Sequence, residues 1–174
     1  MSKSLERVRA ALATLGLAAE IRQMPGETRT AADAAREAGC TIDQIAKSII
    51  FRGATSGAVY LFLTAGGNRV DPGRAAALVA EPLARADADL VRARTGFAVG
   101  GVAPLGHRQP IPVFVDPRLL DFPLVWAAAG TPRHIFAVAP AALMRAIGAV
   151  AADFAVRPEG DGPAAAEHPP AGPM

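Results

Sequence analysis

Apolar residues first recur at helical spacing. Leu5, Val8, Leu12 and Leu15 fall three or four apart, with Arg7 and Arg9 on other faces and Gly16 near the end, which predicts a helix over 4–17. A short apolar stretch over 19–24 predicts a strand ending at the turn signal Pro25-Gly26. Thr30, with Asp33 three residues on, has the spacing of a capping box, and Gly39 is a natural C-terminal cap, so a second helix lies between them. The period then changes. Residues 46–52 and 58–64 are apolar runs rich in β-branched and aromatic side chains, and the linker Gly53-Ala54-Thr55-Ser56-Gly57 predicts a hairpin. Gly66-Gly67 turns the chain again. Asp71 before Pro72 predicts a helix over 72–80, and Asp87 caps another that Gly96 stops.

A glycine-rich loop, GFAVGGVAPLGH, follows over 96–107. Residues 111–116 have the pattern of a buried strand. Residues 124–130 and 134–138 read as a strand pair around Gly130-Thr131-Pro132-Arg133. Pro140 opens a helix to about 147, and 151–156 reads as a last strand. Beyond it the chain becomes Pro, Gly, Ala and Glu without periodicity, so 157–174 is predicted to be a disordered tail and 1–156 one domain. Hairpins mixed with helices point to a single α/β (mixed α+β) domain on a mixed sheet.

One charge interrupts this pattern. Lys47 stands among Ile42, Ile45, Ala46, Ile49, Ile50 and Phe51, and the chain has sixteen arginines against two lysines, Lys3 and Lys47. Burial would depress the pKa of Lys47 unless an anion or carbonyl meets it. Either the stem snorkels its head to water, or the position needs a compact point charge on a flexible stem.

Composition narrows the function classes. The 174 residues suffice for one domain with a real core. The net charge of +2 is compatible with a nucleic-acid partner without implying one. Cys40 is the only cysteine, so an internal disulfide and a cysteine metal cluster are excluded, and a reducing, cytoplasmic setting is expected. No run approaches the ~18 apolar residues of a membrane span. There is no phosphate-binding P-loop, no G-x-G-x-x-G after a strand, no H-E-x-x-H, and no serine in a G-x-S-x-G turn. His107, His134 and His168 lack metal-ligand spacing. Any catalysis therefore falls to backbone groups and a few polar side chains.

The glycine loop suits such work. Gly96, Gly100, Gly101 and Gly106 permit close approach of a ligand, and exposed N–H groups can hold a phosphate or a developing oxyanion. The alternative is a flexible connection. In the second turn, AAAGTPRH, Arg133 can grip a phosphate as a fork, while His134 either joins the site or packs at the start of its strand.

Three segments, TRTAADAAREAGCTIDQIAKSIIF, TGFAVGGVAPLGH with IPVFVD, and VWAAAGTPRHIFAV, resemble in order and spacing the YbaK/ProX family of free-standing editing domains, over roughly residues 28–150. The resemblance implies a curved, barrel-like mixed sheet surrounded by helices. It also implies hydrolysis of the ester joining a wrong amino acid to the 3′ end of a mischarged tRNA, without a cofactor or metal, and with prolyl-tRNA synthetase as a candidate partner. Neither DNA nor a membrane is expected. The family's key lysine falls on Lys47, its glycine-loop motif on Gly100, Gly101 and Pro104, and its later glycine turn on Gly130 and Thr131. Catalytic roles are thus expected for Lys47, Gly100, Gly101 and Gly130. Substrate contacts are expected from Ser48, Ile49, Phe51, Val99, Pro104, Ala129, Thr131, Arg133 and His134. In the resemblance, water or the ribose 2′-hydroxyl handles the proton. Family members that clear alanine from proline tRNA carry asparagine after the lysine or histidine after the later glycine. Ser48 and Thr131 stand there instead, which leaves cysteine, serine, threonine or a non-protein amino acid open beside alanine. Two other readings remain: a non-catalytic tRNA- or nucleotide-binding module of the same fold, and a small-molecule ester or amide hydrolase.

Overall fold

A computed structural model describes residues 2–28 and 30–158. The first helix, α1 (Lys3–Thr14), begins where Ser2 Oγ accepts the N–H groups of Ser4 and Leu5, and it buries Leu5, Val8 and Leu12. Strand β1 (Ile21–Gln23) leads to α2 (Ala31–Ala38), capped by Thr30, whose Oγ1 accepts Asp33 N–H at 3.0 Å, and closed by left-handed Gly39 at φ 74°. Thr30→Ala is expected to cost about 1 kcal/mol, the usual worth of such a cap. Urea unfolding of the variant checks this, and an unchanged midpoint would show that water replaces the hydroxyl.

The predicted hairpin forms from β2 (Ile45–Gly53) and β3 (Val59–Ala65), in register from Ala46↔Ala65 to Arg52↔Val59. Two short strands were not legible in the pattern: β4 (Arg69–Val70), and β5 (Leu83–Arg85) between α3 (Pro72–Val79) and α4 (Ala88–Thr95). Asp71 and Asp87 cap these helices as expected, and Gly96 ends α4 at φ 84°. Strands β6 (Val113–Val115), β7 (Val125–Ala128) and β8 (His134–Val138) precede α5 (Pro140–Ile147). The single strand expected over 151–156 is instead two, β9 (Val150–Ala151) and β10 (Ala155–Val156), because Phe154 turns fully into the core between them. From residue 159 the predicted tail lies outside the described residues. Arg157, just before them, pairs with Asp43 at 2.7 Å.

The eight-stranded sheet is mixed, in the order β1-β8-β7-β2-β3-β6-β9, with β5 also on β2, and β4 pairs β10 separately. Register assigns each face. Ala46, Ile50, Leu61, Leu63, Val113, Val115, Ala127 and Phe136 belong to one apolar cluster, which α1, Val91 of α4, Leu143 of α5 and the loop residues Phe97, Val102 and Leu105 complete. On the opposite face Phe62 stacks on Phe114 at 5.2 Å and meets Phe51 and Phe154 edge-on. Nearby on that face, α2 covers Ile45 and Trp126. No helix among the described residues is long and apolar enough to cross a membrane.

Candidate active site

Strand β2 is paired with β3 along its whole length, but its other edge is shared. There β7 pairs only with Ile45 and Ala46, and β5 only with Phe51 to Gly53. Among the described residues, 47–50 have no strand on that side. Gly53 N–H donates to Ala58 O at 2.7 Å, so odd-numbered residues of β2 turn their main-chain groups toward β3 and even-numbered ones toward the other edge. Ala54 fits the alternation, since its N–H reaches Pro82 O just before β5 at 2.8 Å. Ser48 and Ile50 therefore direct main-chain groups into the gap.

The gap opens into a cavity of about 190 Å³. Ala46 to Phe51 line one side, Arg85 and Ala86 one end, Ala128 the other, and Val91, Val99, Gly100 and Val102 the wall facing β2. Gly100 has φ 96°, and its N–H has no acceptor among the described residues. Val99 stands 61% exposed at the rim.

The expected residues thus separate into groups. Ser48, Val99 and Gly100 line the cavity, as do Ile49 and Phe51. The side chains of Ile49 and Phe51, however, pack on the opposite face beside Phe62, which leaves their main chain to the gap. Side-chain walls come instead from Ile50, Ala86, Val91 and Val102, none of which was expected at the site. Arg85, exposed at the end of a strand too short to predict, was also missed.

Gly101, Pro104, Ala129 and Gly130 do not line the cavity and are buried behind it. Gly101 N–H donates to Ala98 O at 3.1 Å, closing the turn that presents Gly100. A Cβ on Gly101 would lie 2.8 Å from Thr131 Cα, so the two glycine turns touch backbone to backbone. Gly130 has φ 96° and leaves room for Ser4 O, 2.7 Å from where its Cβ would be. Thr131 Oγ1 lies 2.7 Å from His134 Nδ1 and accepts Arg133 N–H at 3.1 Å, so these residues brace the second turn. Met24 N–H on Arg133 O and Thr28 N–H on Pro132 O pin it from outside. Burial, then the charges of Arg9 and Arg133, holds the His134 imidazole below its usual range and favours its neutral form. Burial pushes the Cys40 thiol up to about 11, so it is no nucleophile near neutrality.

Lys47 lies on the face opposite Ser48. Its ammonium is buried and donates to Asn68 O at 2.6 Å, away from the gap. The surroundings are polar and tightly bonded. Asp116 Oδ2 accepts from Ala65 N–H and Asn68 Nδ2, and its Oδ1 accepts Arg118 N–H. Asp43 accepts Gly67 N–H and pairs with Arg118 and Arg157. Burial depresses the Lys47 pKa, the charges of Asp116 and Asp43 resist that shift, and Arg69 adds to it. The ammonium is thus a fixed positive charge behind the strand that lines the cavity.

Comparison with known proteins places this geometry. Residues 25–146 match the model of the aminoacyl-tRNA editing domain. A crystal structure of a protein with a proposed role as a trans-editing enzyme for prolyl tRNA synthetase is 46% identical, with a TM-score of 0.83 over 88% of this chain and 98% of that one. A hypothetical protein of known structure is 31% identical, with a TM-score of 0.80 over 86% of this chain and 99% of its own. The uncharacterized protein YwhH of Bacillus subtilis (strain 168) is 26% identical over 137 residues, 79% of this chain and 87% of its own. The chain belongs to the aminoacyl-tRNA editing domain family, the YbaK/ProX-like group that its lysine strand and glycine turns resemble.

Proposed function

We propose that the protein is a free-standing deacylase that hydrolyses the ester of a mischarged tRNA in trans. A proline tRNA carrying a small wrong amino acid is its substrate. The family match supports the editing class, and the prolyl carrier rests on the proposed role of the 46% identical relative. The observation that carries the reading is a small cavity bounded by Gly100 and by main-chain groups of β2 that no strand among the described residues pairs. At about 190 Å³ it is smaller than the roughly 300–1,000 Å³ of sites for drug-sized ligands. It takes an aminoacyl group and leaves the nucleotides outside.

An aminoacyl ester is already activated, so positioning and charge stabilisation suffice. Water attacks the carbonyl carbon, aided by the ribose 2′-hydroxyl. The C–O bond to the ribose breaks, and the departing oxygen takes a proton. Gly100 N–H holds the oxygen that becomes anionic, and the Lys47 ammonium adds positive potential from behind the strand. A synthetase cannot reject small near-isosteres by binding alone, and a second cavity of restricted size answers that need.

The tRNA end needs only local basic contacts. Arg85 lies at the cavity, with Arg52, Arg92, Arg94, Arg108 and Arg133 as further candidates. Affinity should fall with salt with a slope of about two to four phosphates, and Arg85→Ala should reduce that slope by about one. The direct test incubates the protein with labelled mischarged tRNAs and follows release of the amino acid. Binding without release marks a non-catalytic tRNA-binding module. Equal turnover of aminoacyl esters lacking tRNA marks a small-molecule hydrolase.

A further inference from the structure

The open edge of β2 lies inside a sheet, not at its margin. Four residues, 47–50, separate the last residue paired with β7 from the first paired with β5. At about 3.3–3.4 Å per residue the opening is roughly 13 Å long. That is short for another strand, which usually has about five to six residues, but ample for one residue. Ser48 presents both an N–H and a carbonyl there, and main-chain groups withdrawn from water are nearly always paired. An aminoacyl ester carries one matching set: an amine on the α-carbon and a carbonyl beside it.

We propose that the aminoacyl group binds as a one-residue β-strand, its α-amine donating to Ser48 O and its ester carbonyl accepting from Ser48 N–H. The assignment rests on the deacylase reading above. Two residues that face each other in a hydrogen-bonded antiparallel pair exchange both bonds, and their side chains share a face. The substrate side chain therefore falls on the Ser48 face, where Ile50, Ala86, Val91 and Val102 wall the cavity. The Oγ of Ser48 is buried on that face without a partner among the described residues. Gly100, across the cavity, supplies the second N–H to the ester oxygen. Strand addition ordinarily captures extended peptides by the same main-chain bonds. Here the gap admits a single residue, and its handedness selects the L form.

Two measurements on the unmodified protein test this. The first compares tRNA bearing the best amino acid of the panel with tRNA bearing the same acyl chain without the α-amine, and with its D enantiomer. Loss of a charge-assisted bond should slow the amine-free ester by roughly 10- to 150-fold, and the D ester should also be slow. Rates within threefold of the L-aminoacyl ester for both analogues would overturn the proposal. The second titrates ¹⁵N-labelled protein with the stable 3′-aminoacylamino-3′-deoxyadenosine. The amide signals of Ser48 and Gly100 should shift most, and the amine-free analogue should leave them in place. Shifts centred elsewhere, or none, would overturn the binding mode. If no charged tRNA is turned over, the deacylase reading falls on its own, and the titration still decides whether the edge of β2 takes an aminoacyl group.

Discussion

Lys47→Met should slow single-turnover deacylation by about 30-fold while leaving Tm unchanged or raised. The ammonium is buried, and its depressed pKa shows that burial outweighs the pull of Asp116 and Asp43 on the charged form. An apolar side chain of similar length removes the desolvation cost of the ammonium, which offsets the lost bond to Asn68 O. The cost should fall on the reaction. The side chain reaches from a strand bordering the cavity toward the turn beyond β3, and strands lie about 4.8 Å apart, so the charge sits roughly 8 Å from the gap. At an effective dielectric of about 20 that separation is worth about 2 kcal/mol to a full negative charge, or roughly 30-fold in rate. The charge develops only in the transition state, so tRNA affinity should stay within about twofold.

Stability should also lose part of its pH dependence. Between the folded-state pKa of Lys47 and the ordinary lysine value the unfolded chain holds more protons than the native one. Wild-type stability therefore rises with pH across that window, and the methionine variant should lack that rise. Single-turnover assays and calorimetry check these expectations. Normal turnover would remove Lys47 from the mechanism. A Tm fall of about 10 °C would instead make it a structural tie.

The elements of this fold were legible where local chemistry decides them. Thr30, Asp71 and Asp87 cap the helices they were expected to cap, and Gly39 and Gly96 end theirs in left-handed geometry. The hairpin of β2 and β3 followed from two apolar runs around a glycine-bounded linker. What the pattern could not show is set by partners distant in sequence. Strand β4 is two residues long and exists because β10 lies against it, and β5 is three residues held on the end of β2. The split of 150–156 depends on Phe154 reaching Phe62, a contact between residues 92 positions apart.

The site was legible as a set of residues, but not as an arrangement. Lys47 marks β2 in the sequence, yet it is the main chain of that strand that borders the cavity, while the amine turns away to Asn68. An apolar run with strand period does not say which face receives which layer. Ile49 and Phe51 were therefore expected in the wall that Ile50, Val91 and Val102 build. The gap itself arises because β5 and β7 share one edge of β2 without meeting, and no single segment encodes that. The two glycine turns were expected as ligand-binding backbone. Among the described residues Gly100 is the one glycine of these turns that lines the cavity, and Gly101 is fixed between Ala98 O and Thr131.

Gly101→Ala is consequently expected to be more damaging than Gly100→Ala, although Gly100 is the residue at the cavity. A methyl on Gly100 meets nothing within 4 Å, and its cost is the strain of φ 96° alone, about 1–2 kcal/mol for an L residue. The N–H stays in place. A methyl on Gly101 would lie 2.8 Å from Thr131 Cα and 2.9 Å from Thr131 N and C. These are main-chain atoms of a turn pinned by Met24 and Thr28, so they cannot yield as a side-chain tip would. The glycine loop must move instead, and the turn that aims Gly100 N–H moves with it. A displacement of about 1 Å at a catalytic donor can cost about 100-fold, and losing one oxyanion donor costs roughly 100- to 1,000-fold in turnover. Single-turnover deacylation should therefore fall at least about 100-fold for Gly101→Ala, within the range for a lost donor, and about tenfold or less for Gly100→Ala. Overpacking should also lower stability by about 1–3 kcal/mol. Affinity for tRNA should change less than about threefold, because phosphate contacts lie outside the cavity. Unchanged turnover in both variants would make the loop a mere connection. Equal losses of affinity and rate would place it against the RNA backbone, since a contact made in both ground and transition states lowers binding as much as it lowers kcat/KM.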